Sequence, residues 1–153
     1  MKLIPLKQWI CDNCGGIIET VKDGWLEWYE EKNAETDGYY STGFRIVHHE
    51  RDCQYNGDAL HASGKSLSDT GLRYYTGPDG LTVLLGMIEE MNVNLEQMIE
   101  IIRRLHLPNY EEARQYWERA VNEGFIVMDC VATRCYTQSY LQLVIKEYGD
   151  SQP

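Results

Sequence analysis

The sequence predicts an α+β fold, with an antiparallel β module over residues 1–55, a loop-rich connection over 56–80 and a helical module of three or four helices over 81–153. Three observations predict it. Up to residue 55, the apolar residues come in short runs rich in β-formers and divided by turn signals such as Asp23-Gly24. From residue 81, apolar residues recur every three or four positions, the spacing of one helix face. Between these regions, glycines stand at 57, 64, 71, 77 and 80, with Pro78 and several Ser, Thr, Asn and Asp residues, which is the composition of loops.

Taken in order, Lys7–Ile10 is an extended segment leading into a Cys-Asp-Asn-Cys-Gly-Gly turn, and Ile17-Ile18 leaves it. Asp23-Gly24 turns the chain into a strand over Trp25–Tyr29, because a two-residue Asp-Gly turn twists to match paired strands. Residues 30–43 are polar, with Asp37-Gly38 and Ser41-Thr42-Gly43, and are expected to be a turn or exposed excursion. Phe44–His48 is the next strand. A structureless stretch as long as 54–80 is uncommon inside a compact domain, so Leu67, Leu72, Tyr74 and Tyr75 are expected to tie it to a core. Leu81, Leu84, Leu85, Ile88 and Met91 make one face of a helix with Asp79 as its expected N-cap. Asn94 caps a second helix with Leu95, Met98, Ile99, Ile102 and Leu105 on one side, ended before Pro108. Asn109 is expected to cap a helix over Tyr110–Glu123, with Gly124 as its C′ residue. Phe125–Val131 is read as a short strand and Ser139–Tyr148 as a last helix.

The chain has 153 residues, of which 43% are hydrophobic, enough for a packed core and too many for wholesale disorder. No apolar run approaches the roughly eighteen residues of a membrane span. The opening Met1–Lys7 lacks the apolar stretch of a signal peptide. Five cysteines, an odd number, then suit ligands and core thiols in a reducing cytoplasm better than a disulfide framework. Residues 1–78 hold 8 basic and 12 acidic residues, and 79–153 hold 6 and 12, for a net charge of −10. With no basic stripe to offset phosphate, duplex DNA is an unfavourable partner.

The strongest chemical statement is a set of potential metal ligands. Cys11 and Cys14 are answered beyond the strand-rich interval by His48, His49 and Cys53. Three thiolates and one imidazole suit a closed tetrahedral zinc site. Side chains alternate along a strand, so His48 shares the inward face of Phe44 and Ile46 and is the better fourth ligand, while a bulge at the strand end would substitute His49. The expected site is therefore Cys11, Cys14, His48 and Cys53 around one structural Zn²⁺, with no coordination position left open for water. A redox Cys-x-x-Cys would instead need a helix starting at the motif, and Ile17–Val21 reads as a strand.

Residues 9–53, with Trp-Ile-Cys-Asp-Asn-Cys-Gly at one end and Ile-Val-His-His and Cys53 at the other, resemble a zinc-ribbon or zinc-knuckle module. With Gly77–Leu85 and Arg104–Arg114, the chain resembles small bacterial proteins that pair such a module with a helical tail. The resemblance implies a fold element and a metal, not an activity.

Other features carry weaker signals. Cys130 and Cys135 are expected to be two half-buried thiols. His61 and His106 stand without a marked nucleophile or acid partner, and His106 suits a helix C-terminus, where a cation is favoured. Tyr110–Ala120 resembles one helix of a tetratricopeptide repeat, but one copy makes no array. The same helix, paired with 95–105 as a helix-turn-helix, is too acidic to lie between phosphates. Trp25, Trp28, Tyr29, Tyr39 and Tyr40 give the β module an aromatic surface suited to a protein interface or to single-stranded bases, or else fill a thin β core. The expected function is a non-enzymatic protein-interaction or adaptor module with another protein as partner. The alternatives are a nucleic-acid-associated regulator using the ribbon and an enzyme with a site between the modules.

Overall fold

The computed structural model describes residues 1–127 and 129–149. It is a mixed α/β structure in which the chain first folds into short and long antiparallel strands and then into helices. Strands β1 (Trp9–Ile10) and β2 (Ile17–Ile18) pair around the Cys-x-x-Cys turn, with Trp9 opposite Ile18. Strands β3 (Gly24–Lys32) and β4 (Tyr39–His48) form a long hairpin, so the polar stretch 30–43 is not an excursion but the far end of two paired strands. Its turn is closed by the Asn33 amide donating to the Gly38 carbonyl at 2.9 Å.

The register shifts once, because Glu27 faces Arg45 while Tyr29 faces Thr42, leaving Gly43 and Phe44 together opposite Trp28. This is a bulge with glycine at positive φ, 71° at Gly43. Glycine is required twice over there, since a Cβ at 43 would also collide with the Tyr29 ring. The backbone amides freed by the bulge do not go unpaired. The Gln97 side-chain oxygen accepts from the amides of Gly43 at 2.8 Å and Phe44 at 3.2 Å.

The stretch 54–80, expected to be loop-like, holds helix α1 (Gly57–Ala62), strand β5 (Ser66–Gly71) and a 3₁₀ turn over Leu72–Tyr75. β5 pairs antiparallel with β3, making the sheet order β4-β3-β5. Its Ser-Leu-Ser-Asp-Thr-Gly sequence lacks apolar alternation because backbone pairing, not a buried face, recruits it. Leu72 and Tyr75 are buried and tie the segment to the core as expected, whereas Leu67 is only half-buried and Tyr74 points to solvent.

Helix α2 (Gly77–Glu90) starts earlier than expected. Thr76 takes the N-cap position, Pro78 lies in the first turn where its missing amide costs nothing, and Asp79 is inside that turn instead of capping it. Helix α3 (Leu95–His106) is capped by Asn94, whose side chain accepts from the Gln97 amide at 3.2 Å. The linker before it covers the outer edge of β4: the Ser41 amide donates to the Asn92 carbonyl and the Asn94 amide to the Ser41 carbonyl, each at 2.8 Å.

The helix expected over 110–123 is interrupted. α4 (Tyr110–Ala113), a 3₁₀ turn at Arg114–Tyr116 and α5 (Trp117–Asn122) follow one another, so the continuous helix needed for a repeat-like or helix-turn-helix reading is not formed. Asn109 adopts the left-handed region, φ 65°, and its amide side chain donates to Gln138 instead of capping. Gly124, φ 75°, does end α5 as expected. No strand forms at 125–131 among the described residues, and Met128 lies outside them. The Phe125 and Ile126 amides instead fold back onto the Ala120 carbonyl, and Ile126 is buried as an apolar plug under α5. Short α6 (Ala132–Cys135) precedes α7 (Gln138–Tyr148), the expected last helix.

Two hydrophobic clusters result. The first joins Trp9, Ile18, Leu26, Trp28 and Ile46 of the strands to Leu84 of α2 and to Met98, Ile101 and Leu105 of α3. The second gathers Tyr110, Ala113, Ala120, Ile126, Cys135, Leu141, Val144 and Tyr148. Among the described residues, no helix is long and apolar enough to cross a membrane.

Candidate metal centre

Four side chains from separate parts of the chain converge beneath β4. The sulfurs of Cys11, Cys14 and Cys53 and a ring nitrogen of His48 all lie within 4.8 Å of one another. Cys11 and Cys53 are buried, His48 is half-buried and Cys14 is exposed.

Local hydrogen bonding shapes the first pair. The Cys11 amide donates to the Gly16 carbonyl and the Gly15 amide to the Cys11 carbonyl, both at 2.9 Å, with Gly15 at φ 71°. This tight turn aims the Gly16 amide at the Cys14 sulfur, 3.4 Å away. Asp12, between the cysteines, clips the turn to β4, its amide donating to the Ile46 carbonyl at 2.8 Å and its carboxylate accepting from the Ile46 amide at 2.7 Å. Asn13 reaches the other way, its side-chain amide donating to the Asp52 carbonyl at 3.1 Å beside Cys53.

His48 is held in the form a metal would need. Its Nε2 lies 3.1 Å from the Ile17 carbonyl, an acceptor only, so the proton belongs on Nε2 and the Nδ1 lone pair is free. Nδ1 faces the sulfurs, 3.4 Å from Cys14 and 3.9 Å from Cys53. A tetrahedral zinc ion with ordinary bond lengths sets nitrogen–sulfur edges of about 3.6 Å. The donor set and spacing therefore fit one metal ion. His49, the alternative, is exposed and stacks on Trp25 with ring centroids 4.3 Å apart.

The electrostatics of the ion-free cluster are mixed, favouring ionisation at Cys11 and opposing the ligating forms of His48 and Cys53. Burial pushes the Cys11 thiol up, but backbone hydrogen bonds from Cys14, His48 and Asn13 outweigh it and bring its pKa to about 7. Burial would lower the His48 pKa, yet the Ile17 carbonyl and the Cys11 sulfur raise it. Cys53 is raised to about 12 by burial and by the neighbouring cysteines. Without a cation, two of these sulfurs cannot readily ionise together, and a divalent ion removes that conflict.

The sequence reading missed the polar network beside this centre. Arg104 of α3, its side chain only 2% exposed, makes a bidentate pair with Glu111 at 2.8 and 2.9 Å. It also donates to the Asp12 carboxylate at 2.6 Å and the Ile10 carbonyl at 2.9 Å. The Ile10 amide donates to Glu111 and the Leu3 amide to Glu112. Burial works against the charged guanidinium, but the Glu111 and Asp12 carboxylates raise its pKa further above the ordinary arginine value. The one sequence signal was an acidic residue inside the Cys-x-x-Cys turn.

The remaining candidates lie elsewhere. Cys130 and Cys135, expected as thiols, are joined in a disulfide, with Cys135 fully buried. Their Cα atoms, 6.1 Å apart across the short α6 turn, stand within bridging reach. His61 is exposed on α1, and His106 Nε2 meets the Tyr75 carbonyl at 2.8 Å, a structural tether. Compared with known protein families, with curated proteins and with solved structures, the chain matches none of them.

Proposed function

We propose that this chain is a zinc-stapled, non-enzymatic protein-interaction module of zinc-ribbon or zinc-knuckle type, with one structural Zn²⁺ held by Cys11, Cys14, His48 and Cys53. The observation that carries this reading is the orientation of His48, whose Nε2 bond to Ile17 turns Nδ1 toward the sulfurs at ligand-like spacing. Four protein ligands leave no position for a reacting water, so the metal's contribution is folding energy, on the order of 10–16 kcal/mol in small zinc peptides.

The partner in this reading is another protein. The exposed side of α2 supports it, where Val83 and Leu85, 44% and 47% exposed, flank a groove of about 600 Å³ that also includes Met87, Glu89, Glu90 and Met91. The acidic rim and the net charge of −10 suit an apolar partner surface edged by Lys and Arg. The three free cysteines favour a reducing setting, in which Cys130 and Cys135 would exchange with their dithiol form. Metal analysis of the purified chain is expected to give about one zinc per molecule. Cobalt substitution should add the visible absorption of a tetrahedral thiolate complex, and an octahedral spectrum or a metal-free folded chain would overturn the reading.

A further inference from the structure

A second surface, separate from the metal centre, carries chemistry of its own. At the end of the sheet where β3 begins and β4 and β5 meet it, a cleft of about 490 Å³ is lined by Lys22, Trp25, His49, Thr70, Arg73 and Tyr74, among others. The sheet register builds it. Trp25 pairs with Val47 on one side and with Gly71 on the other, so the side chains just beyond β4 and β5 flank the indole. His49 stacks on Trp25 with centroids 4.3 Å apart and planes 30° from parallel. Across the cleft Tyr74 is 53% exposed, and Arg73 both donates to its hydroxyl at 2.9 Å and lies 4.8 Å over its ring.

The charge of this cleft departs from the rest of the chain. The protein carries a net charge of −10, yet Lys22, Arg73 and His49 line the cleft and no carboxylate does. Asp23, Glu50 and Asp69 adjoin lining residues in sequence but do not line the cleft, and the Asp23 carboxylate accepts from the Thr20 hydroxyl at 2.7 Å. Ring faces with cations beside them, in a volume typical of small-ligand sites, match a planar heteroaromatic group carrying a negative charge. A purely apolar ligand would waste the two cations, and a long polyanion would meet the repulsion of the acidic surface beyond the cleft.

We infer that the Trp25–His49–Tyr74 cleft binds a nucleotide, its base stacked on the rings and its phosphate set between Lys22 and Arg73. The shared chemistry is a base with one or a few phosphates, supplied either by a free mononucleotide or by the end of a single strand. This site does not depend on the proposed partner or on the identity of the metal.

The test is calorimetric titration of the metal-loaded full chain with purine and pyrimidine mononucleotides, the matching nucleosides and a short single-stranded oligonucleotide. Saturable mononucleotide binding, tighter than that of the nucleoside and weakened by salt, is expected. Tyr74→Ala removes an exposed ring and should weaken binding about 5- to 100-fold, the range for losing one base stack. Arg73→Ala and Lys22→Ala, both at exposed positions, should each weaken the nucleotide, and Lys22→Ala should leave the nucleoside nearly unchanged. Stronger binding of the oligonucleotide, equally sensitive to Tyr74→Ala, would support the strand end as the source. The inference is overturned if no nucleotide or oligonucleotide binds at millimolar concentration, or if binding is indifferent to Tyr74→Ala and Arg73→Ala in chains that keep the wild-type circular dichroism and melting profile.

Discussion

Replacing Cys14 by serine is expected to unfold the first hydrophobic cluster and to leave the second partly folded. Cys14 is the sharpest choice because it is exposed, whereas Cys11 and Cys53 are buried. A serine at an exposed site costs the metal-free chain almost nothing, so any large effect must run through the metal. Losing a metal site belongs to the rare class of substitutions that cost more than about 4 kcal/mol, a large share of the net stability of 5–15 kcal/mol usual for a domain. Trp9 and Trp28 are buried in the first cluster and Trp117 packs on the second, so tryptophan fluorescence reports mainly on the first, with α7 helicity as the reporter for the second. The Cys14→Ser chain should show red-shifted emission and partial helicity, and wild-type protein treated with a chelator should match it. Wild-type emission and melting in both samples would refute the structural role of the metal. Because Leu84, Met98, Ile101 and Leu105 belong to the same cluster as the strands, the loss should reach α2 and α3 as well as the β region.

Arg104→Met should destabilise the chain by about 3–5 kcal/mol, measured as a shift in urea midpoint at unchanged slope. The guanidinium balances two carboxylates in a place where water cannot replace it, since the side chains of Arg104 and Glu111 are 2% and 7% exposed. Methionine fills similar volume, so the penalty comes less from a cavity than from leaving Glu111 and Asp12 with only the longer contacts to Arg114, at 3.5 and 3.8 Å, to balance their charge. This makes the partner substitution informative. Adding Glu111→Leu to Arg104→Met should recover part of the loss, because a pair removed whole leaves less charge stranded than a pair broken. Arg104→Lys should still cost about 2 kcal/mol, since an ammonium cannot make the two-point contact with Glu111 and reach Asp12 as well. If Arg104→Met melts like the wild type, the network is ornamental to stability.

The candidate ligand cluster was readable in the sequence because thiols and imidazoles declare their chemistry wherever they stand. Strand alternation then singled out His48, which the structure places facing the sulfurs while His49 stacks on Trp25. The α2 and α3 helices and the Asn94 cap were readable for a similar reason, as each signal is local, but the buried face was not, since Leu85, Leu95 and Ile99 are exposed and Ile101 is buried. What escaped depended on partners distant in sequence. β5 has no apolar alternation and exists because β3 offers it a backbone edge. Arg104 reads as one more helix charge until Asp12, some ninety residues earlier, is brought to within 2.6 Å of it. Phe125–Val131 has strand composition, but the amides of Phe125 and Ile126 turn back to Ala120 and close a helix instead. Cys130 and Cys135 could not be paired by counting, since five cysteines leave the choice between ligand and bridge open.

The disulfide closing 130–135 lies in the second hydrophobic cluster, while Cys11 and Cys53, which meet Cys14 and His48, belong to the first. Bench reagents can therefore address the two ends of the molecule separately. A phosphine reductant would open the disulfide, and a chelator would withdraw the ion proposed for the Cys/His cluster. Either end could be loosened at will while its neighbour serves as the internal control.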